Sequence, residues 1–149
     1  MSALAHEPEP LSVLIADDHD LFALGLTEKL APYPDVNVVG RAVDGAEAVA
    51  LASTLRPDVV LMDVRMPRVD GIRATREITD KLERTRVIIL SGLKDVETVS
   101  RARSAGAAAY LSKGCPVAEV ISVVREVADR PSDRLERRLP VQLPAAAGI

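Results

Sequence analysis

Val13-Leu14-Ile15-Ala16-Asp17-Asp18 and Val59-Val60-Leu61-Met62-Asp63 share one design: a short apolar run that ends abruptly in carboxylates. Runs of this length without polar alternation fit strands covered by helices on both faces of a parallel sheet. Working outward, Val87-Ile88-Ile89-Leu90 follows the same rule and stops at Ser91, and the run from Ala107 to Leu111 leads into Lys113. Val36 to Ala42 alternates more strongly, as a strand at a sheet edge does.

Between these runs lie segments with helical periodicity and start signals. Asp20 is the expected cap of a helix whose Phe22, Leu26 and Leu30 share one face, and Asp44 with Glu47 has the form of a capping box ahead of Val49 and Ala50. Ile72, Ile78 and Leu82 follow Asp70-Gly71, and Val96 and Val99 follow Asp95. Pro116 opens a last helix carrying Val117, Val120, Ile121, Val124 and Val127. Five successive β-α units predict an α/β doubly wound fold, a five-stranded parallel sheet with right-handed crossovers.

Composition narrows the function. With 149 residues, 48% hydrophobic and 28% charged, the chain fits one globular domain. The net charge of −3, from 22 acidic against 19 basic residues, supplies no positive field and argues against DNA binding by this segment itself. Cys115, the only cysteine, excludes an internal disulfide and fits a reducing cytoplasm. His6 and His19 have no partner at zinc-site spacing, and His19 is expected near the acidic residues but outside their pocket. No signal peptide or membrane span is legible, so a soluble cytoplasmic protein with no membrane partner is expected.

The polar residues at the run ends carry the chemistry. If the strand order is 2-1-3-4-5, the carboxyl ends of the first and third strands flank the crevice where ligands bind in such sheets, and Asp17, Asp18 and Asp63 face each other there. Carboxylates gathered so closely repel unless a cation joins them, and all-oxygen donors suit Mg²⁺ (or Mn²⁺). Asp63, closing the central strand, is the best-placed nucleophile for a phosphoryl group. Lys113 offers a point charge and Ser91 a hydroxyl for the phosphoryl oxygens. Taken singly, the acids are as well explained as helix caps, Ser91 as a turn hydroxyl and Lys113 as a solvated cation; their registration at matching strand ends favours the functional reading.

The motifs Ile15-Ala16-Asp17-Asp18-His19, Leu61-Met62-Asp63-Val64-Arg65-Met66-Pro67 with Asp70-Gly71, Leu90-Ser91-Gly92, and Gly106-Ala107 leading into Tyr110-Leu111-Ser112-Lys113 together resemble the receiver domain of two-component response regulators. The likeness covers about Leu11 to Asp129, and the Ala-Asp-Asp-His opening and Tyr-Leu-Ser-Lys-Gly ending are most similar to the LuxR/NarL branch. The resemblance implies the flavodoxin-like (CheY-like) receiver fold and a phosphoryl group passed to Asp63 from a sensor histidine kinase or phosphotransfer protein. It also implies Mg²⁺ held by Asp18 directly, by Asp17 through water, by Asp63 and by the backbone carbonyl of Arg65. Ser91 then takes the switch hydroxyl position and Tyr110 the switch aromatic. Gly114 departs from the proline that many receivers carry after the lysine, and Arg65 and Leu93 occupy positions that tune the acyl-phosphate lifetime in the family.

The expected organisation is an N-terminal tail over 1–10, a receiver domain over 11–130, and a linker or tail over 131–149. That tail holds Pro131, Pro140, Pro144 and, with Arg130, an arginine cluster of Arg134, Arg137 and Arg138. It fits a connection to a helix-turn-helix DNA-binding domain, through which any contact with DNA is expected to run. A phosphorylation-dependent homodimer is expected by analogy with the family. The fourth helix, thinly apolar with Arg101 and Arg103, is expected to move on phosphorylation. The chain is expected to be a phospho-accepting switch rather than an enzyme, acting on transcription or, alternatively, as a stand-alone receiver working by protein–protein contact. The enzymatic rival is a phosphohydrolase with Asp18-His19-Asp20 at its centre, disfavoured because Leu21 and Phe22 follow and no cap-sized insertion is present.

Overall fold

The computed structural model describes residues 9–130. The tail expected over 131–149, and all but the last two residues of the one expected over 1–10, lie outside the described residues. Five strands, β1 (Leu11–Ala16), β2 (Val36–Ala42), β3 (Val59–Met62), β4 (Arg86–Ser91) and β5 (Ala109–Ser112), alternate with five helices. The helices are α1 (Asp20–Leu30), α2 (Gly45–Leu55), α3 (Gly71–Lys81), α4 (Val96–Ser104) and α5 (Val117–Ala128). All strand pairs are parallel, in the order β2-β1-β3-β4-β5, so the alternating run Val36–Ala42 does lie at an edge.

The non-alternating runs are buried as their composition requires: Val13–Ala16, Val59–Met62 and Val87–Leu90 have almost no exposed surface. Each fully buried Val, Leu or Ile contributes about 1.5–3 kcal/mol, so these central strands dominate the core. Helix α1 packs beside α5, while α2, α3 and α4 form a row, α3 touching both neighbours; the sheet lies between the two groups.

Local details depart from the sequence expectations for identifiable reasons. His19, not Asp20, occupies the cap position of α1. Asp17 Oδ1 accepts the His19 N–H at 2.9 Å and so organises the turn one residue early, while Asp20 turns outward to Arg41 Nη2 at 2.7 Å. In α2, Asp44 caps as expected by accepting the Glu47 N–H, but Glu47 Oε1 accepts the N–H of Val43 rather than that of Asp44. The fully buried residues of α2 are the small Gly45, Ala48 and Ala52, with Val49 partly buried against the core. In α4, Val99 is buried but Val96 is 83% exposed, its place taken by Thr98 and Ala102. Pro116 stands one position before α5 in extended conformation, and its carbonyl accepts from Glu119 and Val120. Ala107 and Ala108 precede β5 rather than open it. No peptide bond among the described residues is cis, Lys113–Gly114 included.

Candidate functional site

The sheet ladder continues one residue past the strands and sets the registration of the polar groups. Asp17 N–H donates to the Ala42 carbonyl and Asp63 N–H to the Ala16 carbonyl, each at 2.9 Å. Lys113 N–H donates to the Ser91 carbonyl at 3.0 Å. Backbone pairing alone therefore places Asp63 next to the end of β1, and Lys113 next to the end of β4.

From these positions the side chains converge. Lys113 Nζ lies 2.7 Å from Asp17 Oδ2 and 3.3 Å from Asp63 Oδ2. The two carboxylates are nearly sealed from solvent, with side chains 3% and 5% exposed, whereas Asp18 at 35% borders it. Asp63 Oδ1 is occupied by the Val64 N–H at 2.9 Å, so Oδ2 is the oxygen turned toward the pocket. Burial pushes the Asp63 carboxyl above its ordinary pKa, the charge of Asp17 adds to the rise, and Lys113 offsets only part of it.

Ser91 and Tyr110 form a second group rather than part of the first. Ser91 Oγ accepts the Leu93 N–H at 3.1 Å, and the Tyr110 hydroxyl donates to the Leu93 carbonyl at 2.7 Å. Both backbone groups of Leu93 are thus held, one by each residue. Tyr110 is turned inward, and burial raises its phenol pKa. Arg65 lies in the β3–α3 loop with its side chain exposed, and its charge helps to lower the pKa of Asp95, after the stronger contribution of the Thr98 hydrogen bonds.

Sequence reasoning left out several residues of the pocket. His19 is not outside it: Nδ1 lies 2.8 Å from Asp17 Oδ1, 3.5 Å from Asp18 and 3.7 Å from Asp63. The turn made by Asp17 folds the ring back, which no spacing rule for zinc ligands would reveal. Arg41 donates from Nε and Nη2 to the Asp17 carbonyl at 3.1 and 3.0 Å, tying edge strand β2 to the β1–α1 turn. The Phe22 ring, expected as core, also lies 4.5 Å from the Lys113 ammonium, a cation–π contact that helps hold the lysine. A charged residue near the end of β2 and an aromatic one in the first turn of α1 were the available signals.

Asp17, Asp18, His19 and Asp63 offer ligand atoms all within 4.8 Å of one another. Two buried carboxylates, one with a raised pKa caused partly by the other, form a donor set that a hard divalent cation would relieve, so the residues fit Mg²⁺. Receiver domains bind Mg²⁺ at an acidic pocket of this kind.

Comparison with known proteins gives the same answer. Residues 13–125 match the response regulator receiver domain family. The chain is 39% identical over 129 residues to the transcriptional regulatory protein LiaR of Bacillus subtilis, covering 87% of this chain and 61% of LiaR. It is 38% identical over 117 residues to the response regulator GacA of Pseudomonas aeruginosa, covering 78% of this chain and 55% of GacA. The chain thus spans little more than half the length of these curated relatives. Among solved structures, the signal receiver domain of NarL from Mycobacterium tuberculosis superposes with a TM-score of 0.79 at 37% identity, covering 83% of this chain and 100% of that one. The fold, the convergence of polar groups at one sheet edge and these similarities together make the chain a member of the response regulator receiver domain family, on its LuxR/NarL-type branch.

Proposed function

We propose that this domain is a switch operated by phosphorylation of Asp63. The observation that carries the reading is the approach of one ammonium, Lys113, to two buried carboxylates contributed by adjacent strands, with Asp63 Oδ2 left facing the pocket. Oδ2 attacks the phosphorus of a phosphohistidine on a sensor kinase or phosphotransfer protein. The P–N bond breaks, and its electron pair leaves with the imidazole of the donor, which takes up a proton. Asp17, Asp18, Asp63 and the Arg65 carbonyl would hold Mg²⁺ (or Mn²⁺), which would supply positive charge against the phosphoryl oxygens. Lys113 shares that task as a fixed cation.

The added charge draws on Ser91. When the Ser91 hydroxyl turns to a phosphoryl oxygen, the Leu93 N–H loses its partner, and the loop leading to α4 is released at the residue that Tyr110 holds by its carbonyl. The domain is the receiver over 11–130, with 131–149 as its linker, and the cytoplasm is its compartment. Its output is transcription, through a LuxR-type DNA-binding domain and a phosphorylation-dependent homodimer, a reading supported by the name of LiaR and by a 27% identical LuxR-family response regulator from Aurantimonas. A stand-alone receiver acting by protein–protein contact is the alternative output. No described helix is long and apolar enough to cross a membrane.

Incubation with phosphoramidate, a small donor with a P–N bond, tests the chemistry by ³¹P NMR. An acyl-phosphate resonance that requires Mg²⁺ and disappears in Asp63→Asn is expected; the same resonance in Asp63→Asn would overturn the assignment.

A further inference from the structure

We propose that the His19 imidazole is a nitrogen donor of the metal pocket and shifts its preference from Mg²⁺ toward transition ions such as Co²⁺ and Zn²⁺. The inference rests on the reading of Asp17, Asp18 and Asp63 as carboxylate ligands and adds to it a side chain outside that set.

The ring stands where a ligand would stand. Its Nδ1 is closer to the carboxylates of Asp17, Asp18 and Asp63 (2.8, 3.5 and 3.7 Å) than any packing requirement explains, because 61% of the side chain remains exposed. What brings it inward is local. Asp17 Oδ1 accepts the His19 backbone N–H at 2.9 Å and lies 2.8 Å from Nδ1, so one oxygen fixes both the turn and the ring. A second cation already competes for the same ground: Lys113 Nζ lies 3.3 Å from Nδ1. Nδ1 either carries a proton and donates it to Asp17 or presents a lone pair to Lys113, and one tautomer cannot do both. Since the ammonium already has Asp17 Oδ2 at 2.7 Å, the neutral ring is assigned its proton on Nδ1, directed at Asp17.

A divalent ion replaces that proton without changing the charge of the ring. The neutral imidazole keeps one proton by carrying it on Nε2, and Nδ1 presents its lone pair to the ion. Mg²⁺ gains little from this, because it favours oxygen donors and gives up water reluctantly. Imidazole suits the later first-row ions, whose affinity for such sites rises from Mn²⁺ toward Cu²⁺. A purely oxygen set and an oxygen set with one imidazole therefore differ in the ratio of two affinities, and an imidazole that merely hydrogen-bonds Asp17 leaves that ratio unchanged.

The experiment is calorimetric titration of the full 149-residue chain with Mg²⁺ and, separately, with Co²⁺. It is done in a His6→Ala background, because His6 is the only other imidazole. His19→Ala is expected to weaken Co²⁺ binding by about tenfold or more while moving Mg²⁺ by less than about threefold, and to shift the visible absorption of bound Co²⁺. Preserved Mg²⁺ affinity also shows that the variant is folded. A proportional loss for both ions, or no loss for either, overturns the inference while leaving the carboxylate pocket standing. Asp18→Ala separates the two claims: it should weaken both ions, and binding of both that is indifferent to it would overturn the pocket reading and this inference together.

Discussion

Asp63 is held in a form that its surroundings disfavour. Burial and the charge of Asp17 raise its pKa above the ordinary value, and the Lys113 ammonium does not restore it. A folded-state pKa above the unfolded value, about 3.9, means that the folded chain binds this proton more tightly. The associated stability is fully present below the unfolded pKa and is lost as pH rises through the folded one. Asp63→Asn, which keeps the shape without the charge, is therefore expected to melt higher than wild type at pH 7 in chelator. The gain should shrink as pH falls into the carboxylate range. Thermal melts across that range check this, and a wild type more stable than Asp63→Asn at pH 7 in chelator would count against it. The same residue shows what sequence conveys at this scale. Asp17, Asp18, Asp63 and Lys113 are legible because strand register alone brings them together. His19, Arg41 and Phe22 are not, because turn torsions and side-chain rotation bring them into the pocket.

At the scale of elements, the β3–α3 connection fixes the site. Gly71 N–H donates to the Val64 carbonyl at 2.7 Å, and a Cβ at Gly71 would run into the Asp63 carbonyl. The Asp-Gly pair is thus more than a turn: Asp70 caps α3 by accepting the N–H groups of Ile72 and Arg73, and Gly71 leaves room for the backbone of Asp63. Gly71→Ala should cost about 1–3 kcal/mol in urea denaturation and displace Asp63, a loss of phosphorylation beyond the loss of stability. Helix α4 behaves differently. It leaves Val96 exposed and buries only Thr98, Val99 and Ala102, so apolar packing anchors it lightly. Amide exchange with and without a bound phosphoryl mimic should show altered protection from Ser91 to Ser104; unchanged protection there would contradict the switch through Leu93. The runs, caps and turn signals made the order of elements readable. Which face of α2 or α4 is buried was not readable, because alanines and threonines carry no strong periodic signal and tertiary packing decides.

For the whole molecule, the strand order β2-β1-β3-β4-β5 is what turns separate run ends into one pocket. Composition marked β2 as an edge strand and β1, β3 and β4 as buried, whereas the full order was legible only as what the resemblance to receiver domains implies. The pocket in turn links ion binding to stability, because an ion held only by the folded chain stabilises it by mass action. Mg²⁺ at about a hundred times its Kd should add about 2.7 kcal/mol to unfolding, and Asp18→Ala should remove most of that increment. Equal Mg²⁺ effects on the two proteins would place the ion elsewhere. The central claim, that Asp63 accepts a phosphoryl group in a metal-dependent reaction, is tested most directly by intact mass after incubation with acetyl phosphate, with and without Mg²⁺, for wild type and Asp63→Asn. A single phosphoryl adduct on wild type that requires Mg²⁺ and is missing from Asp63→Asn is the predicted result; an adduct indifferent to the ion or to the substitution, or none at all, would contradict the account.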